Sequence, residues 1–353
     1  AHDVFTMTPQ SLQAVVSICV QLDGMPLAIE LAAARVKALS VEQIAERLRD
    51  RFQLLTRGSR TALPRHQTLR ATIDWSHDLL SEYERILLRR LAVFAGGWTL
   101  EAAEGVCGDE SMDPANVLDR VTGLVDKSLV IMEALDGETR YRLLETVRQY
   151  AREKLLDSGE ATRIHDRHRD FYLELAERAE PMLIGPEQST WMERLEVEHS
   201  NLRVGLEWSK TGDGGAEALV RLAAALWRFW NVRGYGSEGR GWLEAALSQA
   251  GHAPRATRAR LLFGAGVLAW FQQKSGRAAA LGEESLALAR ELGDKRAVAD
   301  SLRLLAAVAW YDYERAKALG EESLALFREL GDKLGISAVL RFLGVHAMTY
   351  DEF

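Results

Sequence analysis

Apolar residues recur three and four apart along most of the chain, the period that lays one face of an α-helix against a core. Few prolines and abundant Ala, Leu, Glu and Arg agree, so the predicted fold class is mainly α. The first helix opens at Thr8-Pro9, a capping hydroxyl ahead of proline at the first helical position, and runs to about Leu22 before Asp23-Gly24 ends it. A second, from Pro26 through LAIELAAARVKAL, is apolar on almost every side, as in a segment buried between neighbours. Ser40 and Gln43 form a capping box for VEQIAERL. The pattern then lapses into RFQLLTRGSRTALPRHQ, a basic loop with Arg57, Arg60, Arg65 and His66, and Arg70 just beyond. With no glycine-rich cradle for phosphate, this loop reads as a solvated interdomain linker.

From Thr68 to about Ser158 the order of elements changes. The helical stretches TLRATIDWSHDLL, SEYERILLRRLAVF (with a Ser81/Glu84 capping box), TLEAAEGVC and ANVLDRVTGLVDKS come first. Two runs with strand character, LVIMEAL and TRYRLLE, follow and join at Asp136-Gly137, a hairpin signal; TVRQYAREKLL closes the unit. Helices followed by a two-stranded wing are the layout of a winged helix. Such domains often read DNA with the helix before the wing. Here that helix sets Asp119 and Asp126 against Arg120 and Lys127 and gathers no cluster able to reach base edges and phosphates together. A structural or regulatory role is expected ahead of DNA readout.

Beyond Gly159 the helical period runs to the end. The segment ALGEESLALARELGDK at 280–295 returns as ALGEESLALFRELGDK at 318–333, and Trp230, Trp270 and Trp310 recur every 40 residues. The two long segments lie only 38 apart, so the last unit has lost two residues between its tryptophan and its second helix. Small residues such as Ala265, Gly266, Ala306 and Ala307 stand in the first helix of each pair, where neighbours must approach closely. One pair cannot cover its own apolar face, so copies are expected to stack into a solenoid. The unit resembles the tetratricopeptide repeat in a longer form of about 40 residues, against about 34 in the usual one. That resemblance implies a concave protein-binding surface with no chemistry of its own.

Composition narrows the function classes. At 353 residues the chain is long enough for two or three domains, expected at 1–66, 67–158 and 159–353. Its 44 Lys and Arg against 51 Asp and Glu, a net charge of −7, argue against broad phosphate-backbone binding. Cys19 and Cys107, far apart and within apolar helical patterns, read as reduced, buried thiols of a cytosolic protein. No basic-then-apolar leader and no apolar run of about 18 residues occurs, so neither secretion nor a membrane span is expected. His165 and His168 stand three apart, but Arg163, Arg167 and Arg169 surround them, so a solvated helix face is expected there and no metal site; His199 is likewise expected at the surface. No nucleophile elbow, acid pair or metal-ligand spacing stands out, and catalysis is not expected.

The stretches ICVQLDGMPLAIELAAARV, LPRHQTLRATIDWSHDLL, LLRRLAVFAGGWTLEAAE, LVDKSLV and YRLLETVRQYA together resemble the bacterial signal-transduction ATPases of the NB-ARC/STAND class. In particular they resemble large LuxR- or SARP-family regulators, in which an ATPase core is followed by a winged helix and a tetratricopeptide array. The resemblance is collinear from about Pro9 to the C-terminus. It implies that DGMPLAIE matches the GLPL motif, whose proline lies near the adenine of bound nucleotide: Pro26 here, with Gly24 ending the preceding helix and Met25 in place of the usual leucine. Leu143, Leu144 and Glu145 stand where eukaryotic relatives carry Met-His-Asp, so the histidine that senses ADP phosphate is missing. No G-x-x-x-x-G-K-[ST] loop and no strand ending in paired acids is present, so no ATP hydrolysis, cofactor or metal is expected of this chain itself; ATP or ADP is expected in the full-length protein. The opening AHDVFTMTPQ, without an initiator methionine, and the close AMTYDEF, midway through a repeat, read as cuts in something longer.

The expected function is the regulatory and sensor part of a STAND-type transcriptional regulator. A protein partner or signal ligand would bind the repeats, the winged helix would couple it to the nucleotide switch, and the active full-length protein would self-associate. Two alternatives stand beside it: a stand-alone interaction scaffold without a switch, and DNA binding through the winged helix.

Overall fold

The computed structural model describes residues 8–21, 24, 26, 29, 33, 36, 39–47, 69–78, 80–110, 112–135, 137–211 and 214–350. The basic positions Arg57, Arg60, Arg65 and His66, together with Met25 and most of the segment 26–38, lie outside them. The chain forms two compact units, Ala1–His168 and Arg169–Phe353, and the division falls inside the helix Ala161–Met182.

In the first unit, α1 (Pro9–Gln21) starts on reciprocal bonds: the Ser11 N–H donates to Thr8 Oγ1 at 3.1 Å and the Thr8 N–H to Ser11 Oγ at 2.8 Å. Gly24, at φ +66°, donates its N–H to the Cys19 carbonyl and ends the helix as a left-handed cap. The Ser40/Gln43 capping box opens α2 (Val41–Arg47), whose Val41 and Ile44 are buried like Ala14 and Ile18 of α1. The segment from Pro26 was expected to be buried on all sides, yet Pro26, Ala33 and Val36 are exposed and Ile29 is half-buried. Its uniform apolarity does not translate into uniform burial.

The winged helix follows from α3 (Leu69–Asp78), α4 (Glu82–Leu91), β1 (Trp98–Thr99), α5 (Leu100–Cys107), α6 (Val117–Asp126), β2 (Val130–Leu135), β3 (Glu138–Leu143) and α7 (Glu145–Asp157). The wing has the expected hairpin register, Leu135 opposite Glu138, with Gly137 at φ +87° in the turn. A third strand not predicted from the sequence, β1, pairs antiparallel with β3, giving the order β1-β3-β2. Gly97 makes that approach possible, since a Cβ there would lie 2.8 Å from the Tyr141 carbonyl oxygen. Leu87, Leu91, Phe94, Trp98, Val106, Val121 and Leu124 form the buried interior, with Phe94 stacked on Trp98 at 5.4 Å. Cys107 is buried, which pushes its thiol up to about 12; Cys19 is only half-buried.

The second unit is helical among its described residues. The stretch EQSTWMERLEVEHSNLRVGLEWSK is two helices, α9 (Gln188–Val197) and α10 (His199–Trp208), that follow the long α8 (Ala161–Met182) and break at Glu198. Glu198 is buried and accepts from Tyr172 Oη at 2.9 Å and Asn201 Nδ2 at 2.7 Å. The helix pairs are α11 (Gly215–Arg233) with α12 (Gly236–Gln249), α13 (Arg255–Phe271) with α14 (Ser275–Leu292), and α15 (Lys295–Val308) with α16 (Tyr313–Glu329); α17 (Lys333–Tyr350) follows. Identical Gly-Asp-Lys turns join successive pairs: Gly293 and Gly331 both stand at φ +66°, and Asp294 and Asp332 cap the helices that follow. One cluster of Leu286, Ala289, Val298, Leu302 and Leu305 packs α14 on α15, with Leu319 and Leu326 of α16 against it. Each pair thus covers the apolar face its neighbour leaves open, which is the physics of a solenoid.

The shortened turn is visible in the backbone. Trp270 lies inside α13, five residues before α14 begins at Ser275, whereas Trp310 lies beyond the end of α15 and three before α16 begins at Tyr313.

Candidate functional site

The first helices of successive pairs, α11, α13, α15 and α17, together line one groove of about 460 Å³. Its walls are mostly aromatic and apolar: Trp227, Val267, Trp270, Phe271, Trp310 and Phe342 contribute. Trp227 is fixed by an edge-on contact with Phe263 at 5.3 Å and by Gly264, where a Cβ would lie 2.6 Å from the indole. Trp310, just past its helix, is held from behind. Its carbonyl accepts from Tyr350 Oη and from His346 Nε2, each at 2.9 Å, and the buried His346 ring stacks between Tyr313 and Phe342. The tryptophan rhythm therefore does not mean one role: Trp230 is buried against Gly239, while Trp270 and Trp310 are half-buried groove walls.

Three arginines, Arg228, Arg303 and Arg341, line the same groove. The Arg228 guanidinium lies 4.6 Å from the Trp227 ring centroid, a cation–π arrangement. Burial draws its affinity for the proton below the ordinary arginine value, and the nearby Asp300 opposes that. Asp300 Oδ1 lies 3.6 Å from Arg303, and burial raises its carboxyl above the usual range in spite of Arg303, Arg296 and Arg228. None of these groups was singled out from the sequence. The signal that could have found two of them is the repeat itself: LRLL and LRFL place Arg303 and Arg341 38 residues apart at the same step.

The winged helix presents a different surface. On α6, Val117, Val121 and Leu124 face inward, while Leu118, Asp119, Thr122 and Asp126 are exposed. Both nearby cations are drawn back onto α4: Lys127 Nζ meets Glu84 Oε1 at 2.5 Å, and Arg120 lies 5.3 Å from the Tyr83 ring centroid. Glu84 is also the capping-box acid, accepting from the Ser81 N–H at 2.8 Å. Burial alone would raise its carboxyl, but the bonds from Lys127 and Ser81 hold it below the ordinary glutamate value. The face that would enter a major groove is left acidic.

The remaining candidates fall as follows. Gly24 and Pro26 are exposed after α1, and neither lines the apolar cavity of about 210 Å³ formed by Val15, Ile18, Cys19, Ile29, Val41 and Ile44 among others. Leu143 ends β3, Leu144 stands at the start of α7, and Glu145 pairs with Arg148. Arg70, beyond the basic loop, pairs with Glu153 at 2.9 Å. His168 is not on a solvated face: it is buried with its ring edge-on to Phe94 at 5.3 Å, and burial lowers the pKa of half-buried His165. His199 is also buried, against Phe229 and Tyr235, with Nε2 3.3 Å from Glu238; burial lowers its pKa against the pull of that carboxylate. Among the described residues no group of three or more His, Cys, Asp or Glu is placed to hold a metal ion, and no helix is long and apolar enough to cross a membrane.

A winged helix-turn-helix domain family model matches residues 80–156, the span of α4 through most of α7. Residues 80–156 are a winged helix-turn-helix domain. Likeness to known proteins extends well beyond this domain. The chain is 45% identical over 318 residues to a Mycobacterium bovis protein named "Putative HTH-type transcriptional regulator", and equally so to its Mycobacterium tuberculosis counterpart, covering 88% of this chain and 36% of the relative. It is 49% identical over 166 residues to an uncharacterized protein of Mycobacterium tuberculosis, covering 47% of this chain and 42% of that one. The chain is thus homologous to HTH-type transcriptional regulators and spans 36% of their length. Among solved structures it is similar to a Signal Transduction ATPase with Numerous Domains from Pyrococcus horikoshii with a tetratricopeptide repeat sensor, at 14% identity and TM-score 0.32 over 92% of this chain and 63% of that one. In this winged helix-turn-helix domain the helix before the wing is α6, with Asp119 and Asp126 exposed.

Proposed function

We propose that this chain is the regulatory and signal-receiving part of a STAND-type transcriptional regulator. An effector seated in the groove of the helix-pair array would change how the array packs, and the winged helix would pass that change to a nucleotide switch in the whole protein. The observation that carries the reading is the groove, which four successive first helices build from equivalent faces. Homology to HTH-type regulators supports the regulatory role, and the GLPL-like DGMPLAIE supports the attachment to a nucleotide-binding core.

In this reading ATP or ADP belongs to the whole protein. Gly24 and Pro26 would stand on its adenine side, by the likeness of DGMPLAIE to the GLPL motif, and both are exposed. No catalytic step is assigned to this chain. To turn a population from 1:99 to 99:1 the effector must prefer one state by about 5.5 kcal/mol, which sets the scale of binding the groove must supply.

DNA reading by the winged helix is the second reading, favoured by the family match and opposed by the acidic face of α6. The test of the first is removal of 169–353 from the intact regulator, with nucleotide exchange and transcription measured with and without effector. Loss of the effector response is expected; an unchanged response overturns the proposal.

A further inference from the structure

The groove has a charge pattern that the chain as a whole does not share. The protein carries a net charge of −7, yet the groove gathers Arg228, Arg303 and Arg341 and no acidic side chain lines it. Arg303 and Arg341 come from equivalent steps of neighbouring first helices, so the repeat itself places two guanidinium groups on one wall. Arg303 has only the loose 3.6 Å approach to Asp300, an acid that Arg296 also faces at 3.9 Å. Arg341 is exposed and makes no ion pair among the described residues. The rings of Trp227, Trp270, Trp310 and Phe342 line the same groove.

Arg228 and Arg303 share the Asp300 carboxylate and Arg341 makes no ion pair among the described residues, which leaves positive charge over and favours an anion, since each planar fork can bind a carboxylate, sulfonate or phosphate oxygen pair. Indole and phenyl faces favour a flat apolar body. A volume of about 460 Å³ falls within the range of roughly 300–1,000 Å³ typical of small-molecule sites. We infer that the groove binds a small anionic molecule with a flat aromatic or conjugated body, its acid on Arg303 and Arg341 and its rings against the tryptophans. This rests on the reading of the array as the signal-receiving half, and it specifies the chemistry of the signal.

The test uses the full chain and two probes of nearly the same shape: 8-anilinonaphthalene-1-sulfonate, which is anionic, and N-phenyl-1-naphthylamine, which lacks the sulfonate. The expected result is one sulfonate probe per chain, weakened by salt, and weakened at least about fivefold by R303Q/R341Q, while the neutral probe changes less than about twofold. R341Q alone changes an exposed side chain that makes no ion pair among the described residues and is expected to leave the fold intact, so it decides the matter should the double variant unfold. It is expected to weaken the sulfonate probe about threefold. Equal losses for both probes, or a sulfonate affinity indifferent to salt and to both variants, overturns the inference. Such a failure would leave the effect of deleting the array on transcription as it was, so the two proposals fall separately.

Discussion

Arg90 and Glu160, 70 residues apart in the chain, meet at 2.6 Å with the guanidinium only 1% exposed. Arg90 also donates to the Cys107 carbonyl at 2.7 Å and reaches Asp109 at 3.1 Å, while Glu160 accepts from Arg89 at 2.8 Å. This cluster fastens α4 and α5 to the start of α8 within the first unit. Removing the Glu160 charge takes one carboxylate from the buried Arg90 guanidinium and leaves it Asp109, so Glu160→Gln is expected to lower unfolding free energy by about 2 kcal/mol in denaturant titration.

The same pair predicts a pH dependence. Burial alone raises the Glu160 carboxyl, but hydrogen bonds from Arg90 and Arg89 prevail and hold it below its ordinary value of 4.5. A depressed folded value means the stabilisation is fully present above the ordinary glutamate range and is lost as pH falls through the folded value. The stability gap between wild type and Glu160→Gln is therefore expected to be constant near neutrality and to narrow below about pH 4.5. A gap that stays constant down to pH 3 contradicts it.

Two glycines of α12 separate packing from propensity. A Cβ at Gly239 would lie 2.7 Å from Trp230 Cβ and 2.8 Å from its ring, and Trp230 is buried and cannot yield. At Gly241, in the same helix, nothing lies within 4 Å. Gly241→Ala is expected to raise stability by about 0.5–1 kcal/mol through helix propensity. Gly239→Ala is expected to lose about 1–3 kcal/mol from overpacking in spite of that gain.

These packing contacts mark where sequence reasoning reached and where it stopped. Periodicity exposed nearly every helix, and Ser81/Glu84 and Asp136-Gly137 are local chemistry that a sequence shows directly, whereas the Gly-Asp-Lys ends of the repeated segment became turns only in the structure. The strand Trp98–Thr99 is two residues long, too short for any period, and exists because Gly97 admits the Tyr141 backbone. His168 and His199 carry the composition of surface positions; aromatic neighbours far along the chain, Phe94 and Phe229, bury them. The groove was legible as a concave face and not as a set of residues. Arg228 reaches it from a different step of its repeat than Arg303 and Arg341, and only the stacking of four helices brings the three together.

The repeat also carries a paired hydrogen bond. Ser285 Oγ donates to the Ala259 carbonyl at 3.0 Å and Ser323 Oγ to the Ala299 carbonyl at 2.8 Å, over 26 and 24 residues respectively, which is the two-residue deletion seen from the interior. Ser285 also lies 3.0 Å from the buried Ser301 hydroxyl. Ser323→Ala removes one net bond and is expected to cost about 1 kcal/mol. Ser285→Ala also deprives Ser301 of this neighbour and is expected to cost about 2 kcal/mol. Equal losses by thermal or denaturant unfolding would show that the Ser285–Ser301 contact adds nothing.

Duplex affinity grows with the number of phosphates neutralised, and log K falls with log salt at a slope of about −0.9 per phosphate. On α6 the outward side chains include Asp119 and Asp126, and Lys127 and Arg120 are engaged by Glu84 and Tyr83. The expected outcome with this chain is no salt-dependent retardation of a mixed-sequence duplex at low ionic strength, measured by mobility shift and by fluorescence anisotropy. Asp119→Arg with Asp126→Arg is the positive control: reversing both charges is expected to create weak binding whose affinity drops steeply with added salt. A wild-type complex with a slope of several phosphates would mean that another face, such as the wing with Arg140 and Arg142, meets the backbone, and would move DNA binding ahead of the regulatory reading.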